Sequence, residues 1–243
     1  FAEDFFTQNE LNPDTTIAFF AGAQFNIRYY YHYGKALDLS LKDSNYTVVA
    51  LGGKSDEYIN ELNLKDFNGK IIDLTGKTTF KQSAAILGNC KLAIGSETSL
   101  SHAACALNVP NVIILGGGHF GRFMPYSDLT TIVSLPLDCF NCNWSCKYND
   151  VYCIKMIKYQ TLAEAIKSRL SNENNFSKIY FQKNYEFDWL DGKPKCVEPD
   201  SINSNNSVVK LIENQTEKFV SINFEEIKKI SGLNQQELRL LQQ

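Results

Sequence analysis

The stretch Lys91-Leu92-Ala93-Ile94-Gly95-Ser96-Glu97-Thr98-Ser99-Leu100-Ser101-His102-Ala103-Ala104-Cys105-Ala106-Leu107-Asn108-Val109-Pro110-Asn111-Val112-Ile113-Ile114-Leu115 contains a complete strand–helix–strand unit. Lys91–Ile94 is a short apolar run that stops at Gly95, as a buried strand does. Small polar residues follow, then an Ala-rich helical stretch over Leu100–Leu107, then a second apolar strand over Asn111–Leu115 that ends in Gly116-Gly117-Gly118. Toward the N-terminus the same unit recurs. Thr15–Ala21 is a strand that ends in Gly22, and Tyr29–Leu41 is a helix with Tyr30, Tyr33, Leu37 and Leu41 at spacings of three and four. Tyr46–Leu51 is a strand stopped by Gly52-Gly53, followed by a helix over Asp56–Leu62. Lys70–Leu74 is a strand that ends in Thr75-Gly76, followed by a helix over Phe80–Leu87.

Short Val/Ile/Leu/Ala runs alternating with helices predict an α/β fold, a Rossmann-like parallel sheet with helices on both faces. In such sheets ligands bind beyond the carboxyl ends of the strands, so the strand-exit loops are where chemistry is expected. Thr131–Leu135 is a candidate sixth strand and Thr161–Leu170 an amphipathic helix. One domain is expected over residues 1–170, including a cysteine-rich finger over 138–157. Residues 171–243 form an irregular and helical C-terminal extension: 171–207 is rich in Asn, Ser, Lys and Asp, and helical patterns lie at Phe224–Ile230 and Gln235–Leu241.

With 44% hydrophobic and 21% charged residues in 243, the chain is of ordinary globular composition, and wholesale disorder is excluded. A net charge of -3 makes no case for nucleic acid or an anionic membrane surface. No apolar run approaches the roughly 20 residues of a membrane-spanning helix. The chain opens on Phe1-Ala2-Glu3-Asp4-Phe5-Phe6, which reads as mid-protein sequence and predicts a piece of a longer polypeptide. Seven cysteines, an odd number with Cys90, Cys105 and Cys196 scattered and four clustered outside any small disulfide scaffold, point to a reducing, cytoplasmic compartment.

In the loop after Ile94, Thr98 or Ser99 would cap the following helix, leaving backbone N–H groups free at its start. Those donors and the positive end of the helix dipole suit a phosphate, and small side chains let it approach the backbone. A capped helix with no ligand reads the same way from these residues alone.

The ordered series Asp73-Leu74-Thr75-Gly76-Lys77-Thr78-Thr79-Phe80, Gly95-Ser96-Glu97-Thr98-Ser99-Leu100-Ser101-His102-Ala103-Ala104 and Val109-Pro110 resembles the C-terminal domain of the ADP-heptose heptosyltransferase family, over roughly Thr15 to Ile157. The resemblance implies the donor-binding half of a GT-B glycosyltransferase. It implies that Glu97 meets the donor sugar, that Thr98 and Ser99 hold the diphosphate, and that His102 faces the donor one turn into the helix. Glu97 stands where the family has Asp, and Ser99 where it has Gly, so the diphosphate grip carries over more directly than the choice of heptose. The family also places a cation after the first strand to neutralise the departing diphosphate. Arg28, beyond Gly22-Ala23-Gln24, fits that role, since a guanidinium grips phosphate oxygens with paired hydrogen bonds. Arg28 and His102 are therefore the candidate catalytic residues. Gly22 and Gln24 fall at the same exit, Gly52-Gly53-Lys54 and Thr75-Gly76-Lys77 on the nucleotide side. The Gly-rich exit containing Gly117 and Gly118 adds His119 and Arg122 as candidate donor contacts.

Cys139-x2-Cys142-x3-Cys146-x6-Cys153 places four thiols within fifteen residues, a spacing that can converge on one thiophilic metal, with two local disulfides or four free thiols as the other readings. Spacing alone leaves zinc and iron open. Asp138–Cys146 resembles the cysteine motif of a branch of the same family that modifies bacterial autotransporter proteins, which implies iron in a structural finger. The expected activity is inverting transfer of a sugar, heptose by the resemblance, from a nucleotide-diphosphate donor to lipopolysaccharide or a protein, in the bacterial cytoplasm or at the inner membrane. The acceptor-activating base is expected on an N-terminal domain outside these residues, so the chain alone is expected to bind donor without turnover; it is also a candidate homo-oligomer. Two other readings are a non-catalytic nucleotide- or sugar-phosphate-binding domain with a structural metal, and a zinc-ribbon-like interaction module.

Overall fold

β1 (Thr16–Phe20) is buried at every position and lies in the middle of the sheet, with parallel neighbours on both sides. The computed structural model describes residues 1–116, 129–135, 142, 144–146, 148, 150–171, 178–182 and 219–221. The other strands are β2 (Thr47–Ala50), β3 (Lys70–Asp73), β4 (Leu92–Ser96), β5 (Asn111–Ile114), β6 (Thr130–Ser134), β7 (Lys178–Gln182) and β8 (Phe219–Ser221). They form one sheet in the order β3-β2-β1-β4-β5-β6-β7-β8. All pairs are parallel except β7 with β8. The order reverses between β1 and β4, the position where doubly wound sheets open a crevice.

The helices are α1 (Ala2–Gln8), α2 (Tyr33–Leu41), α3 (Glu57–Leu64), α4 (Phe80–Leu87), α5 (Ser99–Ala106), α6 (Tyr152–Lys155) and α7 (Tyr159–Leu170). Alternation along the strands divides the interior into two cores. Ile17, Phe19, Val48, Leu92, Ile94 and Val112 face α2, α3 and α7. Ala18, Phe20, Val49, Ala93, Ile113 and Ile132 face α1, α4 and α5. Side chains buried on both faces explain why these strands read as continuous apolar runs. Each fully buried Ile, Leu or Phe contributes about 1.5–3 kcal/mol to holding the layers together.

The predicted sheet and helices are present, with several departures, among them the short helix α6 and the antiparallel strand β8 in the stretch expected to be irregular and helical. The helix predicted from Tyr29 begins only at Tyr33; before it, Asn26–Arg28 makes a single 3-10 turn and Tyr29 is extended. Asn63 supplies the reason, because its Nδ2 donates to the Tyr30 carbonyl at 3.0 Å and its Oδ1 accepts from Tyr33 N–H at 2.8 Å. A buried amide thus takes backbone groups that helical bonding would use. Ala2–Gln8, not anticipated as an element, is helical and buries Phe6 against the second core. Lys178–Gln182, within the stretch read as irregular, pairs with β6 as a strand. The helical patterns at 224–230 and 235–241 lie outside the described residues. No helix among the described residues is long and apolar enough to cross a membrane.

Candidate functional site

Beyond the carboxyl ends of β1, β2 and β4 lies an open cleft of about 700 Å³. Its floor depends on Asn60 of α3, which is wholly buried and joins three strand exits. Asn60 Oδ1 accepts from Ala21 N–H at 2.8 Å; its Nδ2 donates to the Leu51 carbonyl at 3.0 Å and to Thr75 Oγ1 at 2.8 Å. A second bridge runs from Tyr33 Oη to Ser96 Oγ at 3.1 Å and on to the Ala21 carbonyl at 3.1 Å, joining the ends of β1 and β4. Burial pushes the Tyr33 phenol far above its ordinary range, against the weaker opposing pull of the Ser96 hydrogen bond, so it remains a neutral bridge.

Asp56 accepts from Gly53 N–H at 2.9 Å, and its carboxylate lies so close to Gly22 that a Cβ there would come within 2.3 Å of Asp56 Cγ. This close approach is the physical requirement for glycine at the β1 exit. Neither Asn60 nor Asp56 stood out in the sequence. Their local signal, a polar residue on the inner turn of a helix, becomes informative only when the three exits are known to converge.

Arg28 and Glu97 meet across the switch point. The guanidinium is ion-paired with the Glu97 carboxylate, and its Nη2 also donates to the Glu97 carbonyl at 3.0 Å. Both bonds leave from Nη2, so among the described residues Nε and Nη1 keep their donors for another acceptor. Arg28 and Glu97 side chains are only 12% and 11% exposed, so the pair is substantially desolvated and less screened by salt than a surface bridge. On the other side the Arg28 guanidinium carbon stands 4.4 Å from the centroid of the Trp144 ring, within cation–π range. His102 Nε2 is 3.5 Å from the other Glu97 oxygen, and the imidazole is half-exposed at the cleft wall.

α5 starts where the loop analysis placed it, with Thr98 as the residue preceding its first turn. Ser101 Oγ accepts from Thr98 N–H at 3.0 Å and donates to the Thr98 carbonyl at 2.7 Å. The first N–H groups of the helix, at Ser99 and Leu100, have no intrahelical acceptor and adjoin the cleft.

Of the residues named from the sequence, the fold brings Gly22, Gln24, Arg28, Glu97, Thr98, Ser99 and His102 to this one cleft. Thr75, Gly76 and Lys77 do not line it among the described residues. Thr75 is buried beneath it on Asn60, Gly76 N–H bonds the Gly52 carbonyl at 3.0 Å, and Lys77 Nζ turns back to the Asp73 carbonyl at 2.7 Å. Thr78, Phe80 and Ser83 stand at the cleft instead. Gly117, Gly118, His119 and Arg122 lie outside the described residues, as does Cys139. Cys142, Cys146 and Cys153 line one small cavity with Trp144 and Tyr148. Even so, no three His, Cys, Asp or Glu among the described residues are gathered tightly enough to hold a metal ion.

A parallel sheet with a crevice at its switch point and an Arg–Glu pair beside the start of α5 defines a doubly wound α/β domain. The fold is shared with the ADP-heptose lipopolysaccharide heptosyltransferase II of E. coli, at 21% identity and a TM-score of 0.56 over 71% of this chain and 51% of that one. It is shared too with TibC of enterotoxigenic E. coli, described as a bacterial iron-containing dodecameric glycosyltransferase, at 16% identity and a TM-score of 0.50 over 65% of this chain and 46% of that one. The lipooligosaccharide heptosyltransferase 2 of Haemophilus influenzae is 29% identical over 129 residues, 49% of this chain and 36% of that protein. The family model of glycosyltransferase family 9 (heptosyltransferase) matches residues 2–152. The chain belongs to that family. It spans between about a third and a half of the length of these longer relatives.

Proposed function

We propose that this chain is the donor-binding, C-terminal half of a GT-B heptosyltransferase, and that the cleft holds a nucleotide-diphosphate sugar. The observation that carries the reading is the convergence of Arg28, Glu97 and the start of α5 on one crevice at the strand-order reversal. The free N–H groups at Ser99 and Leu100 suit the diphosphate, with the positive helix end behind them. Arg28 offers its unused Nε and Nη1 donors to the leaving phosphate, where negative charge grows as the glycosidic bond breaks. Glu97 would receive sugar hydroxyls while holding Arg28 in place, and His102 adjoins it. Asp56, beyond β2 at the cleft, would take ribose hydroxyls, as an acidic residue beyond the second strand does in dinucleotide-binding sheets.

In an inverting transfer the acceptor oxygen attacks the anomeric carbon, the bond to the diphosphate oxygen breaks, and the diphosphate leaves with that electron pair. A base must take the acceptor proton. We assign that base to a second domain of the kind the longer relatives have room for, so the 243-residue chain binds donor without turning over. ADP-heptose is the proposed donor, because the E. coli relative of like fold is described as acting with it. Lipopolysaccharide or a protein is the acceptor class.

The cysteine segment is proposed as a structural metal site. Three of its four thiols already share one small cavity, and an all-sulfur donor set suits iron or zinc. Cys142, Cys146 and Cys153, with Cys139, would hold the ion, which would tie the segment against the core. TibC is described as iron-containing, which favours iron.

Calorimetric titration with ADP, UDP and GDP tests the site. ADP is expected to bind, and Arg28→Ala to weaken it about 10- to 100-fold, the range for losing a charge-assisted phosphate contact. Absence of binding by all three nucleotides would overturn the donor reading.

A further inference from the structure

Arg28 ends a short 3-10 turn whose neighbours Phe25 and Ile27 are 56% and 48% exposed, so the turn has little packing of its own. Its guanidinium is nonetheless confined. One side is fixed by the Glu97 carboxylate and carbonyl, the other by the ring of Trp144. Trp144 does not come from the cleft's own elements. It sits on the cysteine segment, between Cys142 and Cys146, and lines the same small cavity as those thiols.

Three features show that this placement is built into the fold. Trp144 adopts φ 62°, a left-handed backbone that a bulky side chain takes only when its surroundings hold it there. Its ring packs against the core cluster that covers β1 and β4. Gly116, just past β5, makes room for it: a Cβ there would fall 3.0 Å from Trp144 Cη2 and 2.6 Å from Ile154 Cγ1.

We infer that Trp144 is a positioning residue for Arg28, its indole face holding the guanidinium against Glu97 so that the free N–H groups point into the cleft. The inference deepens the donor-site reading above and rests on it for its functional consequence. The cysteine segment is then part of the anion grip, through the chain of contacts Trp144–Arg28–Glu97.

The test uses the full 243-residue chain in five forms: wild type, Trp144→Leu, Trp144→Phe, Arg28→Ala and the Arg28→Ala/Trp144→Leu double variant. Binding of ADP and of adenosine is measured by titration, and unfolding by urea. Trp144→Leu is expected to weaken ADP about 3- to 30-fold, the range of a desolvated cation–π contact, and to leave adenosine within about twofold. Trp144→Phe is expected to recover most of the loss. In the Arg28→Ala background Trp144→Leu should change ADP affinity by less than about twofold, because the group it positions is gone. The unfolding cycle needs no ligand, and it should show a coupling between the two positions of at least about threefold in the unfolding constant. Equal ADP losses with and without Arg28, together with additive unfolding effects, would mean that Trp144 is core packing only, and would overturn the inference. If wild type binds no nucleotide, the donor reading fails by itself, and the unfolding cycle alone decides whether Trp144 holds Arg28.

Discussion

Replacing Asn60 with leucine keeps the branched outline of the side chain, with added bulk from its methyl groups, while removing the amide that joins the exits of β1, β2 and β3. Asn60 is fully buried, so water cannot replace what is lost. Thr75 Oγ1, which accepts from Asn60, can rotate to find another donor, whereas Ala21 N–H and the Leu51 carbonyl are backbone groups and cannot turn away. Each buried group left without its partner costs about 1–3 kcal/mol. Two such groups, plus the lost Thr75 contact, put the expected destabilisation at about 3–5 kcal/mol. For a chain of this size about 1 kcal/mol moves the melting temperature by roughly 2–4 °C, so Tm should fall by roughly 6–20 °C. Urea unfolding followed by circular dichroism, with calorimetry for Tm, measures this directly. The midpoint should shift with little change in slope, since the amount of surface exposed on unfolding is unaltered. Because the β1 and β2 exits it ties line the cleft, ADP affinity should also fall, by more than the loss at an equally destabilising core substitution far from the cleft such as Leu162→Ala in α7. A stability loss under about 1 kcal/mol would refute the argument that Asn60 holds the cleft floor.

Glu97→Gln should raise ADP affinity about threefold, because it removes a negative charge beside the diphosphate while the main-chain carbonyl at this position still anchors Arg28, yet weaken the nucleotide sugar; competition titration with the two ligands separates the effects, and parallel changes would refute the assignment of Glu97 to the sugar. Burial first, and Lys35 second, lower the His32 pKa against the opposing pull of Asp66, so the neutral imidazole is favoured in the fold. The unfolded chain therefore takes up the proton first as pH falls below about 6.5, and the stability present at neutral pH is progressively lost down to the lowered folded value. Unfolding from pH 7.5 to 5 should show that loss, and His32→Gln should flatten it; an unchanged slope in the variant would exclude His32. Protein purified without a nickel column should carry about one iron or zinc per chain, and chelation should lower Tm by several degrees, with Cys146→Ser doing the same without chelator. A metal-free chain whose melting is unmoved by added iron or zinc would end the metal proposal.

The apolar strand runs and their glycine stops were enough to specify the parallel sheet. Runs such as Thr47–Ala50 and Asn111–Ile114 are buried on both faces, and burial on both faces leaves an uninterrupted apolar signal. The start of α5 was legible for a similarly local reason, since capping chemistry is set by residues a few positions apart. Tertiary structure decided the rest, because it depends on partners far away in the chain. Asn63 breaks the helix expected over Tyr29–Tyr31 from thirty or more residues away, by taking the Tyr30 carbonyl and the Tyr33 N–H. Thr75, Gly76 and Lys77 follow a strand as Gly22 does, but the Asn60 hydrogen bond and a backbone turn direct them away from the cleft. Arg28 and Glu97 were each legible as a charged residue at a strand exit, but the sequence held no sign that they bind one another. Their pairing, and the Trp144 ring that covers Arg28, follow from the reversal of strand order between β1 and β4, which only the folded sheet brings about.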